Sequence, residues 1–393
     1  MLHSRQLSSE ENAEFSWRAL ALTLVLAVIA VEAGATMICR SLAAYPQANR
    51  FLWDPKLEQV RANWNSGSSM LDPDIGGLLT PEDIAGNAEP CGSAYGDSFT
   101  SGFESEDGEG WVERLSHILG CRVANYSVGG YGIDQAYRRL EKTLDGSRFV
   151  LLGLDPNGIM DVVSQYDGWL GGDQVPFALK GRFVITPSGT LNWIGLPRLD
   201  ADRFVALNQA PSDALPASYF LPGTSDGAVI SRFPYTLTLA RVALMPSVRA
   251  FFSGHTEWNA LYQADHPSGA LQLMVAISEA FATLAGARGQ RPLIVILPVA
   301  GSFRENTNFG HFEYADLVDE LRARHIKVLD VGPVMATANS GRSACGYFTR
   351  QDSGFAAWLR SPMPCGGHYS SRAHAIVAQL VKAELKRQGM LEH

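Results

Sequence analysis

A chain of 393 residues, 46% hydrophobic and 18% charged, can bury one large core or two small ones and is too apolar to be disordered. Its net charge of −8, with no Lys/Arg-rich run to follow a phosphate backbone, excludes nucleic acid as a partner. A mean hydropathy of −0.02 excludes a multispan membrane protein.

Residues 1–18 form a polar N-terminal segment. From Ala19 to Cys39 the chain then reads 21 residues with a single charge, Glu32. About 20 apolar residues cross a hydrocarbon core, so this stretch is long enough for one transmembrane helix. Three readings fit it. A signal anchor fits best, because the preceding polar stretch is longer than a signal-peptide n-region. A cleaved signal is the second, since Ala33-Gly34-Ala35 has the small-x-small form. A buried core helix is the third. Arg5 and Arg18 precede the segment while Arg40, Arg50, Lys56 and Arg61 follow it, so charge bias does not favour export of the C-terminal part.

Residues 40–85 carry scattered Trp, Pro, Asn and Gly without sustained periodicity and read as a stalk that partly packs on the following domain. That domain spans 86–390. Within it, an apolar run from Cys121 to Val128 leads through Gly129-Gly130-Tyr131-Gly132 into an amphipathic stretch over 134–144. Phe149–Leu154 and Pro292–Leu297 are continuous apolar runs of the buried parallel type. Helical patterns cover 268–287, 314–325 and 371–388, and Ile326–Asp330 is a further strand. Strands alternating with helices predict an α/β fold with a parallel sheet covered on both faces. Between 160 and 265 the alternation fails. Arg182–Thr186 and Leu191–Ile194 flank a Pro-Ser-Gly-Thr turn as a β-hairpin, within an insertion that reads as a lid or substrate platform.

Beyond Cys39 there are four cysteines, Cys91, Cys121, Cys345 and Cys365, which allow two disulfides in three connectivities or four buried thiols. Cys91 with Cys121 would tie the nucleophile strand to its neighbour, and Cys345 with Cys365 would close a loop just before His368. No CxxC spacing occurs, which argues against a zinc site.

The chemistry-bearing residues lie at the two ends of this domain. Gly96-Asp97-Ser98 sits where a strand ends and a helix begins, which would aim Ser98 out of the C-terminal sheet edge, where open α/β sheets bind ligands. A serine hydroxyl needs a base to take its proton, and His368, just ahead of the last helical pattern, is the candidate. The competing reading of Ser98 is a helix cap. Asp97 reads as a support of the turn, and His374 as a structural histidine.

Taken together, Gly96-Asp-Ser-Phe-Thr100, the block from Asn125 to Ala136, Leu151-Leu-Gly-Leu-Asp-Pro-Asn-Gly158 and Gly367-His-Tyr-Ser370 resemble, in order, the four blocks of the SGNH or GDSL-type serine hydrolases. The segment from Lys180 to Trp193 and the Leu-Gly-Leu-Asp-Pro-Asn-Gly-Ile pattern are similar to a membrane-anchored bacterial branch. The resemblance implies a flavodoxin-like α/β/α sandwich with about five strands. It implies Ser98 as nucleophile and oxyanion donor, Gly130 and Asn157 as further oxyanion donors, and His368 as base, with no metal or cofactor. It also implies a domain held outside the bacterial inner membrane by a single span, or secreted if the segment is cleaved. The implied activity is a serine esterase or acyltransferase on an acylated small molecule or glycan. Two departures stand out. Asn157 is two positions later than the family pattern, and the position of the family's catalytic Asp holds Cys365. The third triad member is therefore unassigned, with Asp352 a weak candidate. The alternative is a non-catalytic glycan-binding or scaffold protein on a degenerate fold of this type.

Overall fold

The computed structural model describes residues 3–44, 48–55, 72, 74–75, 89–105, 109–170, 179–195, 210–338, 343–354 and 363–391. In chain order, helix α1 (His3–Ala43) is followed by β1 (Leu52–Trp53), β2 (Gly92–Tyr95), α2 (Ser98–Ser101), α3 (Trp111–Leu119), β3 (Val123–Asn125), α4 (Ile133–Lys142) and β4 (Phe149–Leu154). Then come β5 (Arg182–Ile185), β6 (Leu191–Ile194), β7 (Val229–Ile230), α5 (Tyr235–Ala243), α6 (Pro246–Phe252) and α7 (Ala270–Ala287). The chain continues with β8 (Arg291–Ile296), α8 (Ala300–Phe309), α9 (Ala315–Ala323), β9 (Val328–Asp330), α10 (Gly332–Ala338), β10 (Phe348–Gln351), β11 (Cys365–Tyr369) and α11 (Ser371–Arg387).

Helix α1 begins well before the apolar stretch. Its first turns hold Gln, Glu, Ala and Arg and neither Gly nor Pro, so no helix breaker separates the polar segment from the apolar one. Trp17–Ala43 is long and apolar enough to cross a membrane and is mostly open to its surroundings. Ala270–Ala287 meets the same length and composition, but as α7 it is half buried. Most of the 40–85 stretch expected as a stalk, Lys56 and Arg61 included, lies outside the described residues. Of the part that is described, β1 pairs in parallel with β7 of the insertion, while Asp72 and Asp74 bond Lys142 and Arg138 of α4.

Among the described residues five strands form one parallel sheet in the order β3-β2-β4-β8-β9. Counted along the chain within the sheet this is 2-1-3-4-5, the flavodoxin-like order, with its switch point between β2 and β4. Every residue of β2 and β4 is buried, as strands covered on both faces must be. Helices α3 and α11 pack together on one face, and α4, α7 and α9 on the other. The core runs through Tyr95, Trp111, Phe149, Phe281, Tyr314 and Tyr369.

The interruption lies between β4 and β8, and its hairpin pairs Arg182 with Ile194 and Ile185 with Leu191. The insertion also contains α5 and α6, which sequence periodicity did not reveal. Its first strand is pinned to the main domain by a buried ion pair, Lys180 Nζ to Asp134 Oδ2 at 2.5 Å, which fixes the first turn of α4.

The four cysteines outside α1 form Cys91–Cys121 and Cys345–Cys365, while Cys39 is free and buried. The first bond joins the starts of β2 and β3. The second fastens β11, the strand that carries His368, to the turn before β10. Replacing Cys345 and Cys365 together by Ala is expected to lower the unfolding free energy by about 2–4 kcal/mol, the usual range for a loop of this size. A urea midpoint shift at constant slope would report it, and an unchanged midpoint would show that strand pairing alone holds the hairpin.

Candidate active site

Three loops leave the C-terminal edge of β2, β3 and β4 side by side, and β11 approaches them from the far end of the chain. The first holds Ser98. Gly96 has φ 154, and a Cβ there would lie 2.6 Å from the carbonyl oxygen of Gly153 on β4, so only glycine lets the chain turn here. Asp97 then caps α2: its Oδ1 accepts from Phe99 N at 2.8 Å and Thr100 N at 3.3 Å, and its Oδ2 accepts from Asp155 N at 3.3 Å. The cap is thus Asp97, and Ser98 is the first residue of the helix with its side chain free to react. Trp111 Nε1 holds the helix from behind through Phe99 O at 3.1 Å.

His368 meets this serine, with Nε2 2.8 Å from Ser98 Oγ across 270 positions of sequence. A bulge aims it. The β10–β11 ladder slips between Phe348 and Arg350, which leaves Gly367, at φ 79, and His368 opposite Thr349. The rings of Phe99 and Phe103 lie 5.1 and 5.0 Å from the imidazole and fix its plane.

The acid side of the ring holds Glu104. Its Oε2 lies 3.1 Å from His368 Nδ1, off the line of a straight N–H bond, so the contact becomes an ion pair when the imidazole carries a second proton. The same oxygen accepts from Thr349 Oγ1 at 2.6 Å and from His368 N at 3.2 Å. The Thr349 bond, helped by the two His368 contacts and opposed by partial burial, brings the Glu104 carboxyl down from its ordinary 4.5 to about 2. Glu104 has φ 64, a left-handed conformation that costs a non-glycine residue about 1 kcal/mol or more. Strain of this kind persists where surrounding bonds impose it, and here they aim a carboxylate at the base.

Asp352, the weak sequence candidate for this place, is elsewhere. Its N–H bonds Pro364 O at 2.8 Å, four residues before His368 along β11, or about 13 Å at strand spacing. Cys365 in turn is committed to its disulfide. Sequence spacing missed Glu104 because the family pattern places the acid before the histidine. The available signal was the acidic run that starts six residues after Ser98.

The second loop lies against the nucleophile. Tyr126 N and Val128 N bond Ala94 O and Gly96 O at 2.8 and 3.1 Å, and a Cβ on Gly129 would sit 3.8 Å from Ser98 Cβ. Gly130 follows at φ 81, a conformation suited to glycine. Its N–H, like that of Ser98, makes no hydrogen bond to the described residues. Gln135 clamps the loop by accepting from Gly132 N at 3.1 Å.

Asn157 stands on the single turn Pro156–Ile159 after β4. Asp155, not Asn157, makes the cap of that turn, accepting from Gly158 N at 3.1 Å. The side chain of Asn157 is left without a partner among the described residues, its Oδ1 buried. Tyr262 Oη donates to Pro156 O at 2.7 Å and holds the turn in place. Asp97 and Asp155 are both raised by burial, Asp155 well above the usual carboxylate range with the Asp97 charge beside it. His374, by contrast, is buried on α11, and burial lowers it to about 4. A cavity of about 60 Å³ between Trp169, Phe220 and Leu261 includes none of these residues.

The chain is similar at a low level to several solved structures. One is a protein assigned to the G-D-S-L family of lipolytic proteins from Desulfitobacterium hafniense DCB-2, at 12% identity and TM-score 0.34 over 75% of this chain and 98% of that one. Another is an acetyl xylan esterase from the rumen bacterium Butyrivibrio proteoclasticus, at 9% identity and TM-score 0.30 over 79% and 66%. Both TM-scores lie below 0.5, so neither likeness bears on the chemistry. No protein-family model and no curated protein sequence matches the chain.

If Ser98 turns over a small ester with His368 as base, Glu104→Gln should lower kcat at least about tenfold, because the imidazolium then formed loses its charge partner. It should also change acid stability with a definite sign. A carboxyl brought down to about 2 stabilises the fold fully above its ordinary 4.5 and loses that contribution as pH falls to 2. Urea midpoints of the wild type should therefore fall more steeply over this window than those of Glu104→Gln; parallel curves would contradict the ion pair.

Proposed function

We propose that this chain catalyses acyl transfer through Ser98, as a serine esterase or acyltransferase of the SGNH type. The observation that carries the reading is the 2.8 Å contact between Ser98 Oγ and His368 Nε2 with a carboxylate on the opposite ring nitrogen. In the forward step Ser98 Oγ attacks an ester carbonyl while His368 Nε2 takes its proton. Negative charge then gathers on the carbonyl oxygen, where preorganised donors act most strongly. The free N–H groups of Ser98 and Gly130 and the unpaired amide of Asn157 are the donors in this reading. Glu104 holds the positive imidazolium. His368 next returns the proton to the departing alcohol oxygen, leaving an acyl group on Ser98. Water or a sugar hydroxyl, deprotonated by His368, takes up the acyl group and restores the serine.

The substrate class in this reading is an O-acylated small molecule or an envelope glycan, met outside the inner membrane. The apolar α1 and the two disulfides support an extracytoplasmic setting, since such bonds persist in oxidising compartments. The non-catalytic scaffold alternative drew on the missing acid at Cys365 and the displaced Asn157; the carboxylate of Glu104 beside His368 favours the catalytic reading.

Purified full-length protein should hydrolyse p-nitrophenyl acetate, and Ser98→Ala should reduce turnover to the buffer rate. Unchanged turnover in that variant would overturn the reading. Asn157→Ala is expected to lower kcat about a hundredfold with little change in KM, the cost of one oxyanion donor; an equal loss confined to KM would instead make it a substrate contact.

A further inference from the structure

Helix α5 is apolar on two faces. Tyr235, Leu239 and Val242 pack on α1 around Cys39 and Ala43. On the open side, Phe233 is 73% exposed, Leu237 49% and Leu244 69%, and Phe252 at the end of α6 is 73% exposed. Exposed apolar side chains clustered on one side of the α5–α6 pair mark a contact surface, and nothing among the described residues covers this side. The local charge is just as unusual. From Gly227 to Thr256 there is no Asp or Glu, yet three arginines, Arg232, Arg241 and Arg249, in a chain of net charge −8. All three are exposed and none makes an ion pair with the described residues.

The position of α5 along α1 sets its level. Glu32, the single charge of the apolar stretch, points into the first turn of α5. It accepts from Tyr235 N, from Thr236 N at 3.2 Å and from Thr236 Oγ1 at 2.8 Å. Arg18 bounds the apolar stretch at its start, and about 20 residues cross the hydrocarbon, which carries the span to about Ile38. Glu32 then lies six residues, about 9 Å at helical rise, inside the outer boundary. A carboxylate at that level needs donors, and the α5 N-terminus supplies them. The same contact brings Phe233 and Leu237 to the level of Glu32.

We propose that α5 and α6 form a second membrane contact: a basic, apolar helix pair set into the outer headgroup and upper acyl region beside α1, with the exposed leucines and phenylalanines among lipid chains and the arginines on lipid phosphates. Interfacial helices of this composition sink about 5–10 Å, which matches the level set by Glu32. Arginine favours phosphate through charge and its forked donors. The contact makes the insertion a membrane-seated platform, so the substrate reaches Ser98 at the bilayer surface. It rests on α1 being retained as an anchor.

The test uses the full chain, with Cys39→Ala, in phosphatidylcholine/phosphatidylglycerol vesicles. Single cysteines at Leu237, Leu244 and Phe252 carry a nitroxide, with Leu26 on α1 and Ile185 on the β5–β6 hairpin as references. Relaxation by oxygen and by a water-soluble nickel chelate reads their depth. The expected result is oxygen-favoured relaxation at 237, 244 and 252, as at 26, and chelate-favoured relaxation at 185. Chelate-favoured values at all three sites with 26 still buried would overturn the platform and leave the anchor intact. Chelate access at 26 as well would overturn both. Spin–spin broadening at 237 or 244, without oxygen access, would show a second copy on this face and also overturn the proposal.

Discussion

Strand β2 is bonded in parallel to β3 on one side and β4 on the other, and this pairing sets every other relation in the site. Parallel register brings the ends of all three strands to one edge, so the nucleophile turn, the double-glycine turn and the Asn157 turn leave together. Asp97 locks two of them by capping α2 with one oxygen and accepting from Asp155 N with the other. The bulged hairpin β10–β11 then has only to deliver an imidazole. Its disulfide, its glycine at positive φ and Thr349 serve that placement.

Much of this was legible from the chain alone, for reasons that differ from residue to residue. Phe149–Leu154 announced a buried strand because a run covered on both faces has no polar residues to blur it. The hairpin at 182–194 was legible from its turn chemistry. Ser98 and His368 stood out because a strained turn and a glycine-flanked histidine leave short local marks. Glu104 left none. Its role depends on a left-handed backbone and on Thr349, a residue 245 positions away, and no local pattern encodes that meeting. Asn157 looked displaced because the capping of its turn had passed to Asp155, which only the folded loop reveals. The polar residues ahead of Ala19 join α1 because they include no helix breaker, which hydropathy alone does not register.

The acid at Glu104 changes how the site is understood. In sequence order the carboxylate comes six residues after Ser98 rather than just ahead of His368, yet it reaches Nδ1 of the ring. A side chain one third exposed offers weaker support than a buried carboxylate would, because solvent screens it. Two hydrogen bonds to one oxygen, from Thr349 Oγ1 and His368 N, compensate by fixing its position. The loop that carries it also presents Phe103 beside the imidazole, so carboxylate and aromatic ring reach His368 from one segment.

Reaction of the purified full-length protein with a fluorophosphonate probe tests the central claim most directly, since such probes bond only to a serine that a base has activated. The expected result is a single adduct mapped to Ser98 by peptide mass, lost when His368 is replaced by Ala. A folded wild type that takes up no probe, or one labelled at another residue, would contradict a nucleophile at Ser98.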